Sequence, residues 1–241
     1  MSVTNLQSGT NVAEVARGIF RVNTPVVMAD GPGGFSFNQY LVIDEEPLLF
    51  HTGPRKLFAV VREAVASLMQ VERLRYVAFS HVEADECGAL NDWLAVAPRA
   101  TPVCSALAAM VSVNDLADRP ARALQDGETL SLGRRSVRWF DTPHLPHGWE
   151  SGLLMDEATR TLFCGDLFTQ GGAHSAALTE ADILGPSESF RGAMDYFSHA
   201  PDTRKQLVRL ADARPTTLAC MHGSAWAGDG QSLLRALSEL V

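Results

Sequence analysis

The sequence predicts an α/β layered domain, and three observations predict it. Short apolar runs of strand character alternate with helical periods along the whole chain. No low-complexity stretch or linker divides it. Two apolar strands, Leu74–Ser80 and Thr216–Met221, run straight into histidines, His81 and His222. Polar residues at strand ends are where α/β folds build sites.

The elements follow in order. Strands are expected at Gly18–Val22, Asn38–Asp44 and Pro47–Phe50. The segment Arg55–Met69 is expected to be helical, because Leu57, Val60, Val61, Ala64, Val65, Leu68 and Met69 recur at three- and four-residue steps. The strand Leu74–Ser80 and a helix over Ala89–Val96 come next. Shorter strands are expected at Thr101–Cys104, Glu128–Leu132 and Ser136–Asp141. Gly152–Met155 and Thr161–Cys164 flank a five-residue turn and read as a hairpin. Helices near Glu188–Ser198, Asp202–Ala213 and Ser232–Leu240 complete the pattern.

Composition narrows the function classes. The 241 residues suit one sizeable domain, or at most two small ones. A net charge of −8 argues against a broad nucleic-acid or anionic-membrane surface. No apolar run approaches the roughly 18 residues of a membrane span. The polar start Met1–Thr10 lacks a secretory pattern, so a cytoplasmic protein is expected. Cys87, Cys104, Cys164 and Cys220 form no CxxC pair and read as buried free thiols.

The chemistry concentrates in four segments. Ser80-His81-Val82-Glu83-Ala84-Asp85-Glu86 places metal-capable side chains at alternating positions, which share a face if the segment is extended and can converge on one or two ions if it is a loop. His144 and His147 follow a strand in Asp141–Ser151. Asp166 follows a strand and a glycine, and His222 ends another strand. Each signal is weak alone, since a histidine after a strand is more often structural; four in this order are a joint signal.

With these segments the chain resembles the metallo-β-lactamase superfamily. Its His-x-Glu-x-Asp start is similar to the di-iron domain of flavodiiron proteins and to stand-alone oxygen-binding relatives. The likeness runs from about Asn38 to His222. Asp166 follows His147 by 19 residues and Ser151 follows it by four, as in that family, which favours His147 over His144. The resemblance implies a single αββα sandwich over residues 1–241, with its core at about 18–222. It implies one ion bound by His81, Glu83 and His147, a second by Asp85 and His222, and Asp166 as the bridge. Three carboxylates and three histidines suit iron or manganese, with zinc as the alternative. After Asp85 the family commonly has histidine where this chain has Glu86. Glu86 is read here as a hydrogen-bond partner or an exposed charge in preference to a fourth carboxylate ligand. His51 is read as a residue supporting the ligands, and His144 as a supporting or structural residue. Cys87 and Cys220 are read as packing residues.

Weaker expectations complete the reading. Gly31–Phe35 is read as a turn near the pocket, and Met28, Trp149, Phe168 and Trp226 as pocket walls or core. Arg134, Arg135 and Arg138 are read as solvated strand charges, and His174 and His199 as lying outside the motif. The function expected is a di-iron protein that binds, and can reduce, oxygen or nitric oxide. A binuclear hydrolase and a gas sensor are the alternatives. The length leaves no room for a flavodoxin domain, so an external electron donor protein is expected. The resemblance also implies a homodimer.

Overall fold

The computed structural model describes residues 1–27 and 33–241, so the expectations for Met28, Gly31 and Pro32 lie outside the described residues. Two mixed sheets carry the fold. The first has the order β1 (Ser2–Val3), β2 (Asn11–Ala16), β3 (Ile19–Val26), β4 (Phe35–Val42), β5 (Leu48–Phe50), β6 (Tyr76–Ala78), β7 (Thr101–Ser105), β8 (Arg122–Leu124). It is antiparallel from β1 to β5 and parallel from β5 to β8. The second runs β13 (Leu178–Thr179), β15 (Ala225–Ala227), β14 (Thr217–Ala219), β12 (Thr161–Phe163), β11 (Gly152–Asp156), β10 (Ser136–Asp141), β9 (Thr129–Ser131).

Strand alternation builds three packed layers from these sheets. Tyr40, Val42, Leu48, Phe50 and Ala78 of the first sheet meet Val137, Trp139, Leu154 and Phe163 of the second in a core between them. Their neighbours Leu41, Leu49 and Val77 point the other way, onto α1 (Phe58–Ala66) and α3 (Leu90–Val96). Phe140, Leu153, Met155 and Leu162 likewise face α7 (Thr203–Asp212) and α8 (Gly230–Ser238). A strand buried on both faces reads as a continuous apolar run, which is why these strands were legible. The result is the expected αββα sandwich. Buried Val12, Val15, Leu234 and Leu237 carry its packing beyond residues 18–222.

The differences from the sequence reading have local causes. The strand β2 was not expected, because a register irregularity between Glu14 and Ala16 breaks its alternation. A four-residue helix, α2 (Ala84–Cys87), falls inside the acidic motif. The segment after β7 was also not expected: α4 (Ala106–Ala108) and α5 (Asn114–Leu116) flank a π-helical stretch, Ala109–Val113. The helix expected at Glu188–Ser198 is displaced to α6, Leu184–Met194. The Asp182 carboxylate accepts the Leu184 N–H and captures the start, and Asp195 at φ 48° ends it in the left-handed region. Arg135 corrects the reading of solvated charges. Its side chain is largely buried between Asp44 and Asp156, 3.7 and 3.5 Å away, whereas Arg134 is exposed.

Candidate metal centre

The ends of four strands converge at one edge of the sandwich. His81 follows β6, His147 lies in the β10–β11 loop, Asp166 follows β12, and His222 follows β14. Two glycines allow the close approach. A Cβ on Gly148, at φ +78°, would lie 3.0 Å from the His81 Cβ. One on Gly165, at φ +52°, would lie 3.0 Å from Ser80 Oγ.

All six expected site residues meet here, in two groups. His81, Glu83, His147 and Asp166 offer donor atoms within 4.8 Å of one another, as do Asp85, Glu86 and His222. His147 Nε2 lies 3.0 Å from Glu83 Oε2 and 3.2 Å from Asp166 Oδ2. His81 Nε2 lies 3.1 Å from Glu83 Oε2 and 3.7 Å from Asp166 Oδ2. The other oxygen of Asp166, Oδ1, lies 3.4 Å from His222 Nε2, which is 3.3 Å from Asp85 Oδ2. One carboxylate therefore faces both groups. The division between groups comes from α2: Glu83 precedes the helix in extended backbone, and Asp85 lies in its first turn. The extended arrangement that would put His81, Glu83 and Asp85 on one face is not formed.

Partners outside the cluster aim the imidazoles. His147 Nδ1–H donates to the Tyr196 carbonyl at 2.9 Å, and His222 Nδ1–H donates to the Ser36 carbonyl at 2.8 Å. A carbonyl only accepts, so each neutral ring keeps its Nε2 lone pair for the centre. His81 Nδ1 lies 2.9 Å from Ser80 Oγ, which is 3.0 Å from His51 Nε2. Burial pushes His51 down to about 3, and it stays neutral. His51 thus stands behind the centre, as expected of a supporting residue.

The donors also shift one another. Hydrogen bonds from His147 and His81 hold Glu83 down at about 2. Burial opposes protonation of His147 and His222, but carboxylate partners raise them to about 10 and about 9. Burial works against an ionised Asp166 too, and the imidazoles win, holding it well below the usual range. The donor set fits a pair of cations on three counts. It contains oxygen and nitrogen only, its Nε2 atoms converge, and the buried Asp166 Oδ1 has no hydrogen-bond partner.

The remaining residues divide between expectations met and expectations corrected. Glu86 is fully buried within the second group, which overturns its assignment as an exposed charge. His144 is exposed at φ 65° and shapes the loop through its backbone N–H to the Gly148 carbonyl, 2.8 Å. Cys220 is buried in the outer core, and Cys87 Sγ contacts the Glu83 carbonyl at 3.3 Å. Burial pushes Cys87 to about 11 and Cys104 to about 12. Phe168 is core and Trp226 packs against it, while Trp149 is exposed. The walls are instead Phe35, stacked on His222 at 4.0 Å, and Phe37, edge-on at 5.5 Å. Asn38 carried no signal in the sequence beyond its strand. Its Nδ2 donates to the Cys220 and Gly223 carbonyls, both at 2.9 Å, and so grips the backbone around His222. On the outer side of Glu83, a groove of about 640 Å³ is bounded by Arg55, Cys87, Asn91, Asp92 and Leu116.

An αββα sandwich with clustered oxygen and nitrogen donors at its loop-lined edge is metallo-β-lactamase-like. The chain belongs to the ODP beta-lactamase family, whose model matches residues 35–223. It is 29% identical over 209 residues to rubredoxin-oxygen oxidoreductase of Megalodesulfovibrio gigas, covering 83% of this chain and 51% of that protein. It is 26% identical to the anaerobic nitric oxide reductase flavorubredoxin of Pectobacterium atrosepticum, covering 83% of this chain and 41% of that one. In structure it is similar to the flavodiiron protein of Giardia intestinalis, with a TM-score of 0.80, 20% identity, and 95% and 58% of the two chains covered. The chain thus spans about half or less of the length of the curated relatives it matches. Among the described residues, no helix is long and apolar enough to cross a membrane.

Proposed function

We propose that His81, Glu83, His147, Asp85 and His222, with Asp166 between them, hold two iron ions in a centre that reduces oxygen or nitric oxide. The observation that carries this reading is the position of Asp166, whose two oxygens face different donor groups at 3.2 and 3.4 Å. Iron is preferred over zinc because a carboxylate, Glu83, stands among the imidazoles and no thiolate is present in either group. The names of the relatives support the choice of gas.

Bound there, the ions would supply the electrons for reducing the gas, replenished by a donor outside this domain. The protein's own part is to hold and shield. Tyr196 and Ser36 fix two of the three imidazoles. Phe35 and Phe37 cover the ring of His222 and keep water from that side. Glu83, whose side chain is 52% exposed, marks the side open to solvent and to the groove.

Anaerobic loading with ferrous iron, metal analysis, and oxygen or nitric oxide consumption with a chemical reductant test the proposal. Two irons per chain and sustained gas consumption are expected. Stoichiometric zinc that excludes iron, together with turnover of a generic ester, would move the chain to the hydrolases. Binding of the gas without consumption would make it a sensor.

A further inference from the structure

Glu86 is not explained by the six residues above. It is fully buried, and neither of its carboxylate oxygens has a hydrogen-bond partner. One of them lies within 4.8 Å of donor atoms on Asp85 and His222, and Oε2 is 3.9 Å from His81 Nε2. The turn that carries it is pinned from behind. The Thr52 N–H donates to the Glu86 carbonyl at 2.8 Å, and Thr52 Oγ1 accepts the Ala89 N–H at 3.1 Å. The side chain is therefore committed to the centre by its backbone.

A buried carboxylate without a donor is strongly unfavourable, and the acceptor nearest to a protonated form is the Asp85 carboxylate, which already faces His222 Nε2 at 3.3 Å. A cation in the second group meets the need directly. We propose that Glu86 is a terminal ligand of the second ion, completing a set of Asp85, Glu86 and His222 beside the bridging Asp166. This rests on the two-ion reading above and deepens it. Four carboxylates then match the charge of two divalent ions, and each ion has three terminal protein ligands and a share of Asp166. With carboxylate in place of the family's common histidine, the second position becomes harder than the first and favours the more oxidised metal.

The test uses Mn(II), a probe with the same preference for oxygen and nitrogen donors, on metal-stripped wild type, Glu86→Gln, Glu86→Ala and Glu86→His. Stoichiometry, affinity and the Mn(II) electron paramagnetic resonance spectrum are read together with the melting temperature before and after loading. Wild type is expected to take two ions and show a coupled spectrum. In Glu86→Gln and Glu86→Ala the second ion binds at least about tenfold more weakly, and an uncoupled single-ion spectrum appears. Glu86→His restores the second ion. Glu86→Gln also melts higher than wild type when stripped, yet gains less on loading, so a variant that simply folds badly is recognised. Second-ion affinity and coupling unchanged in Glu86→Gln and Glu86→Ala overturn the ligation alone. A wild type that takes up fewer than two ions overturns the two-ion reading and the ligation with it.

Discussion

The Ser80 hydroxyl lies 2.9 Å from His81 Nδ1, on the side of the ring away from the carboxylates. It ties His81 to His51, 3.0 Å further back, so the orientation of one donor depends on a chain of buried polar groups. Outer partners of this kind tune metal affinity by about 10–100-fold. Ser80→Ala is accordingly expected to weaken metal binding about tenfold with little change in fold. Competition against a chelator of known affinity measures it, and wild-type affinity would show that the hydroxyl does not aim the ring.

Asp166 and Asp85 should respond differently to the same change. Asp166 faces both donor groups, whereas Asp85 Oδ2 pairs with His222 in the second group only. Asp166→Asn is expected to lower the affinity for both ions, and Asp85→Asn for one. Stepwise calorimetric titration separates the outcomes; an Asp166→Asn protein that still fills one position at full affinity would contradict the bridging role.

Asn38 links the first sheet to the His222 loop. Its Oδ1 accepts from Arg21 Nε and Asn23 Nδ2, both at 2.8 Å, while its Nδ2 holds two loop carbonyls. Asn38→Ala leaves several buried groups unpaired, each costing about 1–3 kcal/mol. A loss of a few kcal/mol in urea unfolding is expected, together with weaker metal binding. Metal affinity that survives intact would mean that the His222 loop stands without this grip.

The pH dependence of stability carries the signature of His51. Its folded pKa of about 3 lies below the ordinary value of 6.5, so between these values the unfolded chain binds a proton that the folded chain refuses. Stability is retained above pH 6.5 and falls as the pH drops toward 3, by up to about 1.4 kcal/mol per pH unit. Unfolding of wild type and His51→Gln across pH 4–7 isolates the contribution, because the variant lacks this proton. Parallel curves would show that His51 is protonated in the fold.

The layered α/β class and most central strands could be read from the sequence alone, and the six proposed ligands from the sequence together with the family it resembles. The strands were legible because residues such as Tyr40, Leu41 and Val42 are buried on both faces, which demands an unbroken apolar run. The six proposed ligands were legible because donor chemistry restricts residue type and because the order and spacing of their segments resemble those of a known family. Tertiary structure alone decided how they divide. The short helix α2 turns Asp85 and Glu86 away from Glu83, and no periodicity announces a four-residue helix held by its surroundings. It also decided that Glu86 is buried, since the Thr52 contact that pins its turn comes from a segment more than thirty residues earlier. Asn38, Phe37 and Tyr196 were invisible for the same reason. Their roles are set by partners far along the chain, and a local pattern carries no trace of a neighbour brought close only by folding.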